Sequence, residues 1–386
     1  MAKLDKKIII TGGGSGGHTH TALSFVQYLE TKFSNTKEQI LYIGGNLAME
    51  GEKDAKSIEQ KLLEKTDLNY KIIRAGKLQR YFNLRTIVLI FRTIGGLIDS
   101  FKIIKKEKPD LIFSTGGYVT VPVCIAGWIL KTPVYIHEQT TSVGLANKIS
   151  AKFARKIFIT FPQSKKHFPK DKTIHTGNLV KKDLFKEKET GEITKLIEKM
   201  KKNKKETPII YISGGSQGSH ILNTTVREMM TYLLQYYQVI LQTGDNKIFK
   251  DYDNISKDKQ KLSTKIQNHF HIVKYIDSSE LGYLYKNIDL FVGRSGASTI
   301  YELGLFKKPC ILIPIPWTRK NEQQTNAELL EKLNLAKIIP EGELTPDKLF
   351  IEINKMFKEK KKIDEEKIKK IFVKNAGDKI LEEIGV

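Results

Sequence analysis

Cysteine is nearly absent: Cys124 and Cys310 are the only two in 386 residues. So low a count excludes a disulfide framework, and no zinc-ligand spacing exists. Both sit in apolar strings, Val121-Pro122-Val123-Cys124-Ile125-Ala126 and Lys308-Pro309-Cys310-Ile311-Leu312-Ile313, which read as buried reduced thiols in a cytoplasmic protein. Negative charge is also in short supply, with 43 Asp and Glu against 65 Lys and Arg and a formal net charge of +22. Such a surplus favours an anionic partner: nucleic acid, an acidic membrane surface or a phosphorylated ligand. A Lys- and Ile-rich genome would produce part of it. No recognised nucleic-acid module accompanies the charge, so no nucleic-acid partner is expected. Uncharged runs long enough to cross a bilayer are missing but for Leu111 to Leu130, and there Ser114-Thr115-Gly116-Gly117 and Pro122 mark a strand, a loop and a helix instead. The opening MAKLDKKIII lacks the apolar core and cleavage site of a secretory leader, so export is not expected.

What is present is strand-then-helix alternation over a length that suits two α/β domains. Ile8 to Thr11, Ile40 to Ile43, Leu111 to Ser114 and Val134 to His137 read as short buried strands of the first half. Ile209 to Ser213, Val239 to Gln242, His271 to Val273, Leu290 to Val292 and Cys310 to Ile313 repeat the scheme. The expected architecture is α/β: two Rossmann-like domains with parallel sheets facing a central cleft. The first spans 1–180 and the second 208–360, with 181–207 as a charged connection carrying an exposed helix. Residues 361–386 are expected as C-terminal helices, with a return to the first domain left open. Helical spacing at Leu349, Ile353, Met356 and Phe357, then at Ile368, Ile371 and Phe372, argues against a disordered tail.

Glycine-rich turns follow several strands. Gly293-Arg294-Ser295-Gly296-Ala297-Ser298-Thr299-Ile300-Tyr301-Glu302 places a Gly/Ser turn after a strand and a carboxylate one helical turn further on. Such a helix start can receive a pyrophosphate on its N–H groups, with Glu302 turned toward a ribose; a tight connection without function uses the same pattern. The first strand ends in Thr11-Gly12-Gly13-Gly14-Ser15-Gly16-Gly17-His18, where Gly12, Gly14 and Gly17 satisfy G-x-G-x-x-G. A dinucleotide site is disfavoured because the second strand ends in Gly44-Gly45-Asn46, without the acid that takes an adenosine ribose. Ser114-Thr115-Gly116-Gly117-Tyr118 and Ser213-Gly214-Gly215-Ser216-Gln217-Gly218-Ser219 are further turns. One dinucleotide would not require glycine turns in both domains; a phosphate-bearing donor in one and a second substrate in the other would.

Nine ordered motifs carry a resemblance: GGSGGH at Gly13 to His18, STGGYV at Ser114 to Val119, HEQ at His137 to Gln139, GLANK at Gly144 to Lys148, Gly177-Asn178, GGSQGS-x-x-LN at Gly214 to Asn223, YID at Tyr275 to Asp277, RSGAST-x-x-E at Arg294 to Glu302, and NEQQTNA at Asn321 to Ala327. Over nearly its whole length the chain resembles the MurG family of glycosyltransferase family 28. These are bacterial GT-B enzymes that move N-acetylglucosamine from its uridine diphosphate to a lipid-linked muramyl-pentapeptide. The sequence departs from the family at Thr140, where Asn is usual after HEQ, at Lys181, where Arg is usual, and at Thr21 in place of a Pro. Lysine keeps the charge but not the bidentate fork.

The resemblance implies an inverting transfer in peptidoglycan synthesis. His18 is the candidate base, with capping of the following helix as its structural alternative. His137 and Glu138 are the rival acid-base pair, or else a strand-end hydrogen bond that holds a loop. In the second domain Ser216 and the Gly214 to Gly218 amides meet the diphosphate, and Arg294 is the charge partner of the leaving group. The Ile276 backbone meets uracil. Ala297, Ser298, Thr299, Ile300, Tyr301 and Glu302 cover diphosphate and ribose, and Gln323 holds sugar hydroxyls. Asn223 and Gln324 either join the donor site or bond their own backbone. Ser15, Gly16 and Gly17 approach the donor from the other domain, which implies closure. Tyr118, Thr140, Asn147 and Lys181 complete the substrate-binding set. Neither a cofactor nor a metal is expected.

The implied partners are UDP-N-acetylglucosamine, the lipid-linked muramyl-pentapeptide and an anionic membrane surface, with the protein peripheral on the cytoplasmic face of the cell membrane. Leu78, Tyr81 and Phe82, flanked by Lys77, Arg80 and Arg85, are the expected membrane contact. Most of Ile87 to Ile104 is expected to be the buried face of a helix. The competing readings are a related glycolipid transferase with another acceptor and a weakly active scaffold that binds nucleotide sugar.

Overall fold

The computed structural model describes residues 1–14, 16–45, 58–76, 84–180, 182–185, 191–203, 207–318, 321–359 and 362–386. They fold into two compact units, residues 1–180 with 373–386 and residues 181–372. In the first, β1 (Ile8–Thr11), β2 (Ile40–Gly45), β3 (Asn69–Ile73), β4 (Leu111–Ser114), β5 (Val134–Glu138), β6 (Lys156–Ile159) and β7 (Thr173–His175) form a parallel sheet in the order β3-β2-β1-β4-β5-β6-β7. In the second, β8 (Ile209–Ser213), β9 (Gln238–Gln242), β10 (Phe270–Val273), β11 (Leu290–Gly293), β12 (Cys310–Leu312) and β13 (Ala336–Ile338) run parallel in the order β10-β9-β8-β11-β12-β13.

Strands buried on both faces explain the unbroken apolar runs. Ile8 and Ile10 of β1 join one core with Phe25, Tyr42 and Phe113, while Ile9 joins another with Ile43, Ile112 and Ile136. In the second unit Ile210, Ile212, Val239, Leu241, Leu290 and Val292 pack with the helix His220–Tyr236 through Leu222, Val226 and Met229. Each sheet reverses strand order once, between β1 and β4 and between β8 and β11. The crevice beyond the strand ends at such a reversal is where open α/β sheets receive ligands. The four glycine turns follow those four strands.

Four strands were not expected. β3, β7 and β13 are edge strands whose polar residues, exposed in β3 and half-buried or buried in the other two, break the apolar run, and β6 is a four-residue segment behind a basic stretch. The segment 181–207 also differs from expectation. Its helix Glu192–Asn203 is not simply exposed: Ile193, Ile197 and Met200, spaced for one helical face, are buried within the second unit. The Glu280 carboxylate accepts from the Ile193 and Thr194 N–H groups at 2.8 and 3.1 Å. Helices Pro346–Lys358, Glu365–Ile371 and Ala376–Ile384 form the tail. The last buries Ile380, Leu381 and Ile384 in the core of Phe25 and Leu29, and Glu383 meets Lys156 at 2.5 Å.

Among the described residues no helix is long and apolar enough to cross a membrane. On the helix Leu84–Glu107, whose side chains are described from Thr93 onward, burial falls at Gly96, Ser100 and Ile104, while Ile94 and Ile98 are each 48% exposed. From Thr93 onward the helix is thus only partly a buried face: Ile104 lies in the core and Leu97, Phe101 and Ile103 pack against it, but Ile94 and Ile98 face away.

Candidate functional site

In the first unit two glycine turns interlock. The Gly13 N–H donates to the Gly116 carbonyl at 3.1 Å, and Thr115 N–H to Thr11 O at 2.9 Å. A Cβ on Gly117, whose φ is +96°, would stand 1.7 Å from the Gly13 oxygen. Only glycine lets these backbones touch. The Tyr118 ring lies on Gly14 and its hydroxyl reaches Gly45.

Half-buried His18 stands at this junction, near the start of the helix Gly16–Glu30. Its Nδ1 lies 2.8 Å from the Thr115 carbonyl, and the Thr115 hydroxyl returns a bond to His18 O at 2.8 Å. A carbonyl only accepts, so Nδ1 carries the proton and the basic lone pair is on Nε2. The Gln139 amide lies 3.2 Å from the same Nδ1 and bonds Thr21 Oγ1, which reaches Gly17 O at 3.1 Å. With the amide oxygen turned to Nδ1–H, its NH2 donates to Thr21 and the Thr21 hydroxyl to Gly17, so every group in the chain is satisfied. The residue that replaces proline thus helps hold His18.

Glu138 is 1% exposed. It accepts from Thr140 N–H at 3.0 Å, from Thr140 Oγ1 at 2.7 Å and from Asn147 Nδ2 at 3.0 Å. The Thr140 hydroxyl supplies one of the bonds that fix this carboxylate. Asn147 Oδ1 is buried without a hydrogen-bond partner. A Cβ on Gly116 would meet Asn147 Oδ1 at 2.9 Å and His18 Cε1 at 3.1 Å, so His18, Asn147 and Glu138 form one group.

His137 does not join it, because neighbouring strand residues face opposite ways. Wholly buried, it bonds the Gly177 carbonyl through Nε2 at 3.0 Å, and burial lowers its pKa to about 4. The expected His137–Glu138 acid-base pair is corrected accordingly: His137 is a neutral group holding a loop.

Sequence reasoning missed Glu59 and Gln242. Glu59, 1% exposed, accepts from the Gly14 N–H and seats a carboxylate on the first glycine turn. Nothing in its local sequence marks it. Ser15, Lys181, Lys77, Leu78, Arg80, Tyr81 and Phe82 lie outside the described residues, as does the side chain of Arg85.

In the second unit Gly218 has φ +74° and its Cβ would stand 1.9 Å from the Thr243 carbonyl, which seats the turn on the end of β9. Ser216 is exposed at the turn's tip. Arg294, 7% exposed, donates to Ile313 O at 3.0 Å and Ser219 Oγ at 2.7 Å, and pairs with Glu341. It is an internal brace rather than the expected charge partner for a leaving group, since a buried guanidinium needs its carboxylate. Asn223, wholly buried, is likewise committed, donating to Thr243 O at 3.0 Å and Asp251 at 2.9 Å. Gln324 bonds Glu328 at 3.0 Å on its own helix.

Helix Ala297–Leu305 starts at Gly296, and its first N–H groups, those of Ala297, Ser298 and Thr299, have no intrahelical acceptor. Ile300 donates to Gly296 O at 3.0 Å, and the Ile300 and Tyr301 side chains are wholly buried. Their expected contacts with substrate are therefore not made by side chains. Half-buried Glu302 shares a hydrogen bond with the buried Tyr285 hydroxyl, and burial, then that charge, hold the phenol's pKa well above its usual value. Ser295 Oγ donates to Gln323 O at 2.8 Å, and Gln323 Oε1 accepts from Ile315 N–H at 3.1 Å. Gln323 is thereby brought to the Gly293–Gly296 turn. Ile276 donates its N–H to Gln242 Oε1 at 3.2 Å, so its carbonyl is the backbone group left to face a base. No group of three or more His, Cys, Asp or Glu among the described residues is arranged to hold a metal ion.

Residues 8–159 match the glycosyltransferase family 28 N-terminal domain, and 209–382 its C-terminal domain. The chain is 35% identical over 354 residues, 91% of each chain, to UDP-N-acetylglucosamine--N-acetylmuramyl-(pentapeptide) pyrophosphoryl-undecaprenol N-acetylglucosamine transferase 2 of Bacillus anthracis. It is 35% identical over 357 residues, 92% of each, to the transferase of that name, without the number, from Clostridium novyi. Its fold matches the crystal structure of MurG from Acinetobacter baumannii at a TM-score of 0.68 and 20% identity, covering 98% of this chain and 99% of that one. With both halves matched in order and a third of residues shared across nearly the whole length, the chain belongs to glycosyltransferase family 28.

Proposed function

We propose that this protein transfers N-acetylglucosamine, with inversion, from UDP-N-acetylglucosamine to the lipid-linked N-acetylmuramyl-pentapeptide. The observation that carries the reading is the 35% identity, over 91% of the chain, with a transferase of that name. In this reading His18 Nε2 takes the proton of the acceptor hydroxyl. That oxygen attacks the anomeric carbon while the bond from carbon to diphosphate breaks on the opposite face. Asn147 and Glu138, beside His18, hold the acceptor. The charge that grows on the departing diphosphate meets the N–H groups of Ala297, Ser298 and Thr299 and the Gly214 to Gly218 turn with Ser216. Glu302 accepts from the ribose hydroxyls, the Ile276 carbonyl takes the base, and Gln323 holds the sugar.

A membrane-bound acceptor calls for docking, and we place it on the first unit, on the cytoplasmic face of the membrane. Support comes from Ile94, Ile98, Trp128 and Ile129, exposed by 48 to 58% on two helices that pack together, with Lys102, Lys105, Lys131 and Lys152 exposed nearby. Apolar side chains and an indole ringed by lysines suit an anionic interface. The test is incubation with labelled UDP-N-acetylglucosamine and a short-chain lipid-linked acceptor in the presence of chelator. Label in the lipid fraction supports the reading. Label entering only other lipids, such as diacylglycerol, would favour a changed acceptor, and donor binding without transfer would favour a scaffold.

A further inference from the structure

On β9, Val239 and Leu241 face the apolar core, while Gln242 at the strand's end turns to the other side of the sheet. It is 7% exposed, and both ends of its amide are engaged. Oε1 accepts from the Ile276 N–H at 3.2 Å and from the Tyr211 hydroxyl at 3.0 Å, and Nε2 donates to the Gly215 carbonyl at 3.3 Å. These partners come from two stretches far apart in sequence: the segment after β10, and β8 with the turn that follows it. The Tyr211 ring stands edge-on to Phe291 at 5.5 Å and to Tyr285 at 6.3 Å, so its hydroxyl is a fixed post. Gly215, with φ +87° and nothing within 4 Å of its Cβ position, is placed by hydrogen bonds instead of side-chain packing, its N–H donating to Ser213 Oγ at 3.1 Å. Its carbonyl accepts from the Gly218 N–H at 3.1 Å within the turn and from Gln242, which is the bond that ties it to β9.

A buried amide brings a desolvation cost that an apolar side chain of equal size avoids. What it adds is a fixed span between the Gly214 to Gly218 turn and the Ile276 backbone. We infer that Gln242 is a positioning residue for the nucleotide sugar, setting the distance between the diphosphate turn and the base-binding segment so that one uridine diphosphate meets both. The inference rests on the donor reading given above and adds to it a residue that touches no substrate. It also explains the tyrosine in β8: Tyr211 fixes the amide's rotation, and Tyr285 beside it fixes Glu302 on the same face.

The full-length protein and its Gln242→Met and Gln242→Ala variants would be titrated with UDP and with uridine, and assayed for donor KM, acceptor KM, kcat and Tm. Methionine keeps the length without the hydrogen bonds. The expected result is UDP affinity lowered about tenfold in Gln242→Met, from two to three lost hydrogen bonds. Donor KM should rise in parallel, acceptor KM should stay close to the parent value, and uridine, which lacks the diphosphate, should lose less than UDP. Unchanged UDP affinity in Gln242→Met, an equal loss for UDP and uridine, or a fall in Tm with donor KM unchanged would overturn the inference. Failure of the unaltered protein to bind UDP is a separate outcome, and it overturns the donor reading itself.

Discussion

His18 carries the most specific chemical claim. Its Nδ1 is committed to the Thr115 carbonyl at 2.8 Å, which directs its basicity to Nε2. Replacement by alanine should lower kcat by roughly 10²- to 10⁴-fold, the usual worth of a general base, with UDP affinity nearly intact by calorimetry. A large loss of UDP affinity would remove it from that role. His137 makes the opposite prediction. Its pKa of about 4 lies below the ordinary 6.5, so between those values the unfolded chain binds the proton that the folded one refuses. Its contribution to stability is therefore intact above pH 6.5 and lost as pH falls toward 4, roughly 3 kcal/mol in all. A glutamine in its place would keep a donor for Gly177, so His137→Gln should lose less Tm between pH 7 and pH 5 than the parent while keeping its activity. The motifs located these residues but not their orientation. HEQ gave no sign that its histidine turns inward and its glutamate toward Asn147. Arg294 was chosen for its charge, and its pairing with Glu341, 47 positions away, is set by tertiary packing that no local pattern encodes.

At the level of elements, glycine was the most readable signal and for a physical reason: a turn that needs positive φ or touching backbones leaves no other choice. Gly117 does both, at φ +96° and 1.7 Å from the Gly13 oxygen for an added Cβ. Gly117→Ala should therefore cost about 2 kcal/mol or more by urea denaturation and weaken acceptor binding before donor binding. An unchanged denaturation midpoint would show that the two turns are not interlocked. Interior strands other than β6 were legible because burial on both faces forces long apolar runs. Edge strands β3, β7 and β13 were not, since one open side admits residues such as Asn69 and Lys337. Helix Glu192–Asn203 was obscured by its lysines and glutamates, although Ile193, Ile197 and Met200 kept the spacing of a buried stripe.

For the whole molecule, strand order and glycine placement converge on one statement: each unit has one switch point, and each switch point carries the turns expected to bind substrate. The charge surplus of +22 has a corresponding whole-molecule consequence. Vesicles containing anionic lipid should sediment the protein more strongly than neutral vesicles, less so as salt rises, and Trp128→Glu should reduce that binding without lowering UDP affinity. Equal binding of parent and Trp128→Glu would move the docking surface elsewhere. The central claim is an inverting sugar transfer to a lipid-linked muramyl acceptor. It is tested most directly by making the lipid product from UDP-N-acetylglucosamine and reading the configuration of its new glycosidic bond by NMR. A bond of configuration opposite to the donor's is the predicted result; retained configuration, or no lipid product from a protein that binds the donor, would contradict it.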